Sequence, residues 1–234
     1  WGNDDTLANI EGVEGTPHDD IIIGTSGNNS LDGRYGNNQI DGGAGFDYLE
    51  YNGDGRENVN VDMSTGIATF SKHGSDQTFT DTFSNIEGVI GSIYNDIITG
   101  NDQNNILEGA EGNDIIYGGE GDDILVTGHG DDQLYGEGGN DKLITVGSGT
   151  QSYDGGIGID TLIVNTSYLT SLNSDYPNFI DIDLIAGDMG QGSNPELRDT
   201  ITNIENVTYD GLFDARIYGN DQSNIINGGS GNDR

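Results

Sequence analysis

Cysteine is absent from the 234-residue chain, only three residues are proline, and seven basic residues face 41 acidic ones. Without thiols there is no disulfide framework, no thiolate zinc site and no cysteine nucleophile, a composition common in exported bacterial chains. The formal charge of −34 repels nucleic-acid phosphates and anionic lipid headgroups, which excludes nucleic acid as a partner and selects cations, divalent metal above all. No apolar run approaches the roughly 18 residues of a membrane span, and no basic stretch leads into an apolar one as in a signal peptide. Leu, Ile, Val and Phe make up less than a quarter of the chain. At that level a highly charged chain barely collapses alone, so any core is thin.

What is abundant is glycine, at 40 residues, and it recurs with a period. Gly118-Gly119-Glu120-Gly121-Asp122-Asp123-Ile124-Leu125-Val126 matches the nonapeptide G-G-x-G-x-D-x-U-x, with U apolar. Copies begin at Gly15, Gly24, Gly33 and Gly42, then at Gly91, Gly100, Gly109, Gly118, Thr127 and Gly136. Another begins at Gly155, one residue out of register because Thr145 to Asp154 holds ten residues, and a last set begins at Asp210, Gly219 and Gly228. The eighth position holds Ile22, Leu31, Ile40, Leu49, Ile98, Leu107, Ile116, Leu125, Leu134, Leu143, Leu162 and Ile226. The sixth holds Asp20, Asn29, Asn38, Asp47, Asp96, Asn105, Asp114, Asp123, Asp132, Asp141, Asp160, Asn224 and Asp233. One period thus specifies a core and a ligand together.

Glycine at the first, second and fourth positions permits a tight turn with positive φ, and the last three residues form a short strand whose middle side chain points inward. Two nonapeptides make an 18-residue coil, so two parallel sheets face each other across stacked Ile and Leu. Turns 18 residues apart stack on one edge, where carbonyl oxygens and sixth-position carboxylates converge. That oxygen-only cage suits calcium, which takes six to eight oxygens, better than magnesium with its strict octahedron. All thirteen sixth-position residues are candidate metal ligands. The pairs Asp96 with Asp114, Asp114 with Asp132 and Asp123 with Asp141 supply two carboxylates each and are expected to bind most tightly. Pairs containing one Asn lose a charge and are expected to be weaker.

These residues resemble the RTX (repeats-in-toxin) calcium-binding repeats of secreted bacterial proteins. The resemblance implies an all-β fold, a right-handed parallel β-roll or β-solenoid, and a module that binds calcium and folds after export through a type I secretion channel. The blocks fall at 15–50 within 1–50, at 91–163, and at 210–234, where a third block starts; flanking or capping strands are expected at 51–90 and 164–209. The flanks alternate with period two, as in Asn58 to Met63 and Phe179 to Leu184, which argues for half-buried strands rather than linkers. A second motif, D-T-Φ-x-N-I-E-x-V, recurs at Asp5 to Val13, Asp81 to Val89 and Asp199 to Val207, where the third copy has Asn206 before its Val. The flanks are expected to close the rolls, and the N-I-E-x-V strands to start the next coil. This block-and-flank order resembles the RTX region of adenylate cyclase toxin.

Catalytic constellations are missing. There is no H-E-x-x-H, G-x-S-x-G or G-x-x-x-x-G-K-[ST] motif, and no helical periodicity follows the glycine-rich stretches. Two of the three histidines, His18 and His129, fall in repeat turns and read as surface substituents. Paired acids such as Asp122 and Asp123 repeat every nine residues, which points to calcium rather than to a glycosidase pair. The expected function is a non-enzymatic, extracellular calcium-binding module of a larger secreted toxin, adhesin or surface-layer protein; the alternative is an accessory module of a secreted protease, lipase or alginate epimerase. The chain reads as a fragment, so membrane or receptor contacts would lie outside it. Its partners are calcium and, during export, the type I secretion machinery. Roughly six to nine calcium ions would cancel up to half of the charge. Without them a glycine-rich polyanion is expected to stay unfolded.

Overall fold

In each short repeat strand only the middle residue is sheltered, because alternate side chains of an extended chain point to opposite faces. Ile21–Ile23, Ser30–Asp32, Gln39–Asp41, Tyr48–Glu50 and Ile97–Thr99 all follow this rule in a computed structural model. It describes residues 11–53, 55–165, 179–191, 198–211 and 213–234. Among the described residues there is no helix, and the strands form two sheets. In the middle of the second block four strands run to six residues, Ile106–Glu111, Ile115–Glu120, Ile124–His129 and Gln133–Gly138. There the backbone stays extended through the glycine that opens the next turn.

Successive strands alternate between the sheets, so neighbours within one sheet are 18 residues apart. Ile98 pairs with Ile116 and Ile116 with Leu134 in one; Leu107 pairs with Leu125 and Leu125 with Leu143 in the other. The ten-residue interval stretches the spacing to 19, pairing Leu134 with Tyr153 and Leu143 with Leu162. Among the described residues the first sheet has ten strands, all parallel. The second has thirteen and contains two antiparallel insertions.

Each insertion lies inside the second sheet, between coils. The strands Arg56–Asp62, Ile67–Lys72 and Thr78–Ser84 form a meander whose last strand runs parallel to Gln39–Asp41 and whose first runs parallel to Ile97–Thr99. Phe179–Asp183, Asp188–Gln191 and Arg198–Thr202 repeat the arrangement further along. The first insertion is anchored by Arg56, fully buried against Asp32, with Nη1 donating to Oδ1 at 2.5 Å and Nη2 to Oδ2 at 2.9 Å. Its guanidinium lies over the rings of Tyr51 and Phe70. The pairing and the ring contacts compensate a charge that would otherwise be costly to bury.

Within the repeats the core is two facing files of eighth-position side chains, one from each sheet, and Leu31, Leu49, Ile98, Leu107, Ile116, Leu125, Leu134, Leu143 and Leu162 are completely buried. Ile226 departs from the expectation: it is 43% exposed, because its strand Ile226–Asn227 is the outermost of its sheet. Seventh-position isoleucines stack on the outer faces, Ile97 on Ile115 and Ile106 on Ile124, half-exposed.

The interblock motif turns out to be a coil of the same roll. Thr82, Phe83 and Ser84 pair with positions seven to nine of the coil before, and Gly88, Val89 and Ile90 do the same in the opposite sheet. Asn85 therefore stands where a repeat has its first glycine, and only Ile86 and Glu87 bridge to the next strand, where a nonapeptide uses five residues. Thr200 to Thr202, Asn203, and Asn206 to Thr208 match in the second copy. Asn85 and Asn203 adopt positive φ, and Ile86 and Ile204 tuck into the core. Of the first copy, residues 5–10 lie outside the described residues, while Gly12–Glu14 pairs with Ser30–Asp32.

Candidate metal centre

Stacking of identical turns lines up the sixth-position side chains along both edges of the roll. On one edge the Asp96 N–H donates to Asp114 Oδ1 at 2.9 Å, the Asp114 N–H to Asp132 Oδ1 at 3.0 Å, the Asp132 N–H to Gln151 Oε1 at 2.9 Å, and the Gln151 N–H to Asp199 Oδ1 at 2.8 Å. On the other the ladder runs from Asn105 through Asp123, Asp141 and Asp160 to Glu205, with links of 2.7 to 2.9 Å. The first block repeats this: Asp20 to Asn38 to Asp81, and Asn29 to Asp47 to Glu87. Asp160, displaced by the inserted residue, joins its ladder at a spacing of 19.

Five rungs were not among the sequence candidates: Asp81, Glu87, Gln151, Asp199 and Glu205. The acids of D-T-Φ-x-N-I-E-x-V close the ladders of the first two blocks, the Glu being one methylene longer where the turn is three residues shorter. The signal was the motif's recurrence just before each block. Asn at the next rung also has a reason. Asn105 Nδ2 donates to the Glu87 carbonyl at 3.5 Å and Asn224 Nδ2 to the Glu205 carbonyl at 2.7 Å, which a carboxylate cannot do.

A second ladder runs in the opposite sense through the fifth position. Asn95 Oδ1 accepts from the Asn113 N–H, Asn113 Oδ1 from the Asp131 N–H, and Asp122 Oδ1 from the Asn140 N–H. The turn backbone is thereby pinned from both sides, leaving its carbonyls at the edge.

The sixth-position side chains then divide into two states according to the second residue of their own turn. Where that residue has negative φ, its N–H folds back onto the sixth side chain: Thr16 onto Asp20, Thr25 onto Asn29, Ser92 onto Asp96, Asn101 onto Asn105, Gly128 onto Asp132 and Asn220 onto Asn224. Gly43, Ala110, Gly119, Glu137 and Gly156 have positive φ instead, and their N–H groups make no bond to the sixth side chain's Oδ2. In those five turns Oδ2 of Asp47, Asp114, Asp123, Asp141 and Asp160 is buried with no hydrogen-bond partner. Asn38, also below a left-handed second residue, uses its amide to donate to Asp81 at 2.8 Å. At the ends the arrangement is looser: Asp20 and Asn224 are half-buried and Asp233 is exposed, with its Oδ1 accepting from the Ala215 N–H at 2.9 Å.

Such buried, uncompensated carboxylates hold protons tightly. Burial, reinforced by Asp96 and Asp132, pushes Asp114 up to about 8 against the lowering effect of the Asp96 N–H. Burial likewise raises Asp141 and Asp199 to about 7, and Asp81, Asp96 and Asp123 to about 6. Asp47, Asp132 and Asp160 are raised for the same reason. A cation beside these oxygens reverses that penalty.

The donor set fits a hard cation: carboxylate and carbonyl oxygens, with five oxygens orphaned at the interior of the stack. Among the described residues no three His, Asp or Glu side chains gather on one point. Each rung supplies its carboxylates singly or in pairs, and turn carbonyls must complete the shell. Gly118 shows why the first position stays glycine: a Cβ there would stand 2.6 Å from Asp123 Oδ2 and 2.7 Å from the Gly136 carbonyl oxygen, filling the space between two donors.

Residues 14–49, 90–125, 108–143 and 210–234 match the RTX calcium-binding nonapeptide repeat, four copies covering about half of the chain. The chain belongs to the RTX repeat family. The RTX repeat is a structural calcium-binding module of typically secreted proteins, and the all-β parallel roll agrees with it. No curated protein matches the chain. The matched segments leave out the interblock coils, which the strand register nonetheless places in the same stack.

Proposed function

We propose that this chain is the calcium-binding module of a larger exported protein of toxin, adhesin or surface-layer type, unfolded in a low-calcium cytosol and folded by extracellular calcium. The observation that carries the reading is the row of buried, partnerless Oδ2 atoms at Asp47, Asp114, Asp123, Asp141 and Asp160 in a chain of charge −34. A roll that leaves these charges uncompensated is opposed by desolvation and mutual repulsion, so binding free energy becomes folding free energy. Those five aspartates are the leading ligands; Asp96 and Asp132, whose second oxygen already accepts an N–H, contribute less. Folding on emergence helps draw the chain out of a type I secretion channel and then stiffens the exported protein.

Far-ultraviolet circular dichroism during a calcium titration of the chelated chain tests the proposal. Strand signal is expected to appear with calcium and vanish with chelator, at a midpoint in the extracellular range of roughly 0.1 to 1 mM. A strand signal indifferent to chelator refutes it.

A further inference from the structure

We propose that the shortened N-I-E turns are themselves divalent-cation sites, in which Glu87 and Glu205 complete calcium shells that join one repeat block to the next. The inference rests on the calcium reading above and extends it to residues outside the nonapeptides.

Two copies of one geometry carry it. In the first, Asp47 is 1% exposed and its Oδ2 has no hydrogen-bond partner, while its own N–H donates to Glu87 Oε2 at 2.9 Å. A Cβ on Gly42 would stand 2.8 Å from that Oδ2 and 1.9 Å from the Asn85 carbonyl oxygen, so the missing side chain leaves a space bordered by both oxygens. In the second, Asp160 is completely buried, its Oδ2 is partnerless, and its N–H donates to Glu205 Oε2 at 2.9 Å. A Cβ on Gly155 would stand 2.7 Å from Asp160 Oδ2 and 2.1 Å from the Asn203 carbonyl oxygen. The two asparagines are held alike, each donating Nδ2 at 2.7 Å to the aspartate preceding the glycine, Asp41 or Asp154.

Each turn sets an aspartate carboxylate and an asparagine carbonyl beside one glycine, with the glutamate carboxylate on that aspartate's N–H, and this all-oxygen set is that of a hard cation. A hydrogen bond to the Asp47 or Asp160 N–H alone needs no charge, and glutamine would serve it equally. The retained charge, one rung from a buried Oδ2, is explained by a metal. Calcium bound here ties the last turn of one block to the coil that opens the next, coupling the blocks in folding.

The test is calcium uptake by the 234-residue chain, measured by equilibrium dialysis against calcium, for the parent and for Glu87→Gln, Glu205→Gln and the double variant. Each single change is expected to remove one ion and the double change two, with strand signal retained at saturating calcium because the amide oxygen still accepts the N–H. A parent that takes up calcium while the double variant keeps its full complement overturns this assignment alone. A parent that takes up none overturns the calcium reading and this assignment with it. Anomalous diffraction from parent crystals grown in calcium is independent of how the variants fold. Peaks between Asp47 Oδ2 and the Asn85 carbonyl, and at the equivalent place by Asp160, support the sites; a water or nothing at both refutes them.

Discussion

Replacing Asp114 by Asn should shift stability in opposite directions with and without calcium. Burial raises this carboxyl from its ordinary 3.8 to about 8 in the metal-free fold. Because the folded value lies above the unfolded one, the metal-free roll is strongest below about pH 4, weakens as pH rises, and levels off above about 8. Between pH 5 and pH 7.5, both above the sequence pI of about 4.1, about 2.5 units at roughly 1.4 kcal/mol each remove about 3 kcal/mol through this one group. That is a large fraction of a domain's stability. Asp141 and Asp199, raised to about 7, act in the same direction. Asn does not ionise, and its Oδ1 can still accept the Asp96 N–H, so in calcium-free buffer at pH 7.5 Asp114→Asn should stabilise the roll by about 2–3 kcal/mol and flatten its pH dependence. With calcium present the lost ligand charge should raise the folding midpoint by about tenfold. Because the proposed switch leaves the metal-free chain unfolded, its stability at both pH values is measured by osmolyte-induced folding with trimethylamine N-oxide followed by circular dichroism, and the calcium midpoints by calcium titration. A metal-free parent as stable at pH 7.5 as at pH 5, or a variant that loses stability in calcium-free buffer, refutes the reasoning.

Asp132 occupies the same ladder, but its Oδ2 already accepts the Gly128 N–H at 3.2 Å, so Asp132→Asn should raise the calcium midpoint by no more than about threefold; equal shifts for the two variants in a dichroism titration would discard the division by turn conformation. Glu137 is exposed and left-handed, with φ of 69°. Glu137→Gly should therefore stabilise the calcium-bound roll by about 1 kcal/mol relative to Glu137→Gln, which removes the same charge but keeps the strain. A thermal melt in saturating calcium compares them, and no gain from glycine would contradict the strain argument.

Much of the fold is legible in the sequence because a nonapeptide carries its instructions locally. Glycine marks the turn, the eighth residue marks the core face, and the period of nine forces partners 18 apart; Ile98, Ile116 and Leu134 stack as that arithmetic demands. The interblock coils are legible only as a recurring motif. Asn85 and Asn203 substitute for a first glycine, and Glu87 and Glu205 reach the ladder through a turn three residues shorter, so counting by nine steps over them. Gln151 is hidden in the same way by the ten-residue interval.

By itself, then, the sequence determined the roll, its two-sheet register, the inward Ile and Leu and the edge of Asp and Asn, since each follows from a residue's place within one period. Which carboxylates are free for a cation was decided only in three dimensions. It depends on whether the second residue of a turn is left-handed, a property that Gly43 and Gly128 do not share despite their common side chain, because backbone conformation there answers to the coils stacked above and below.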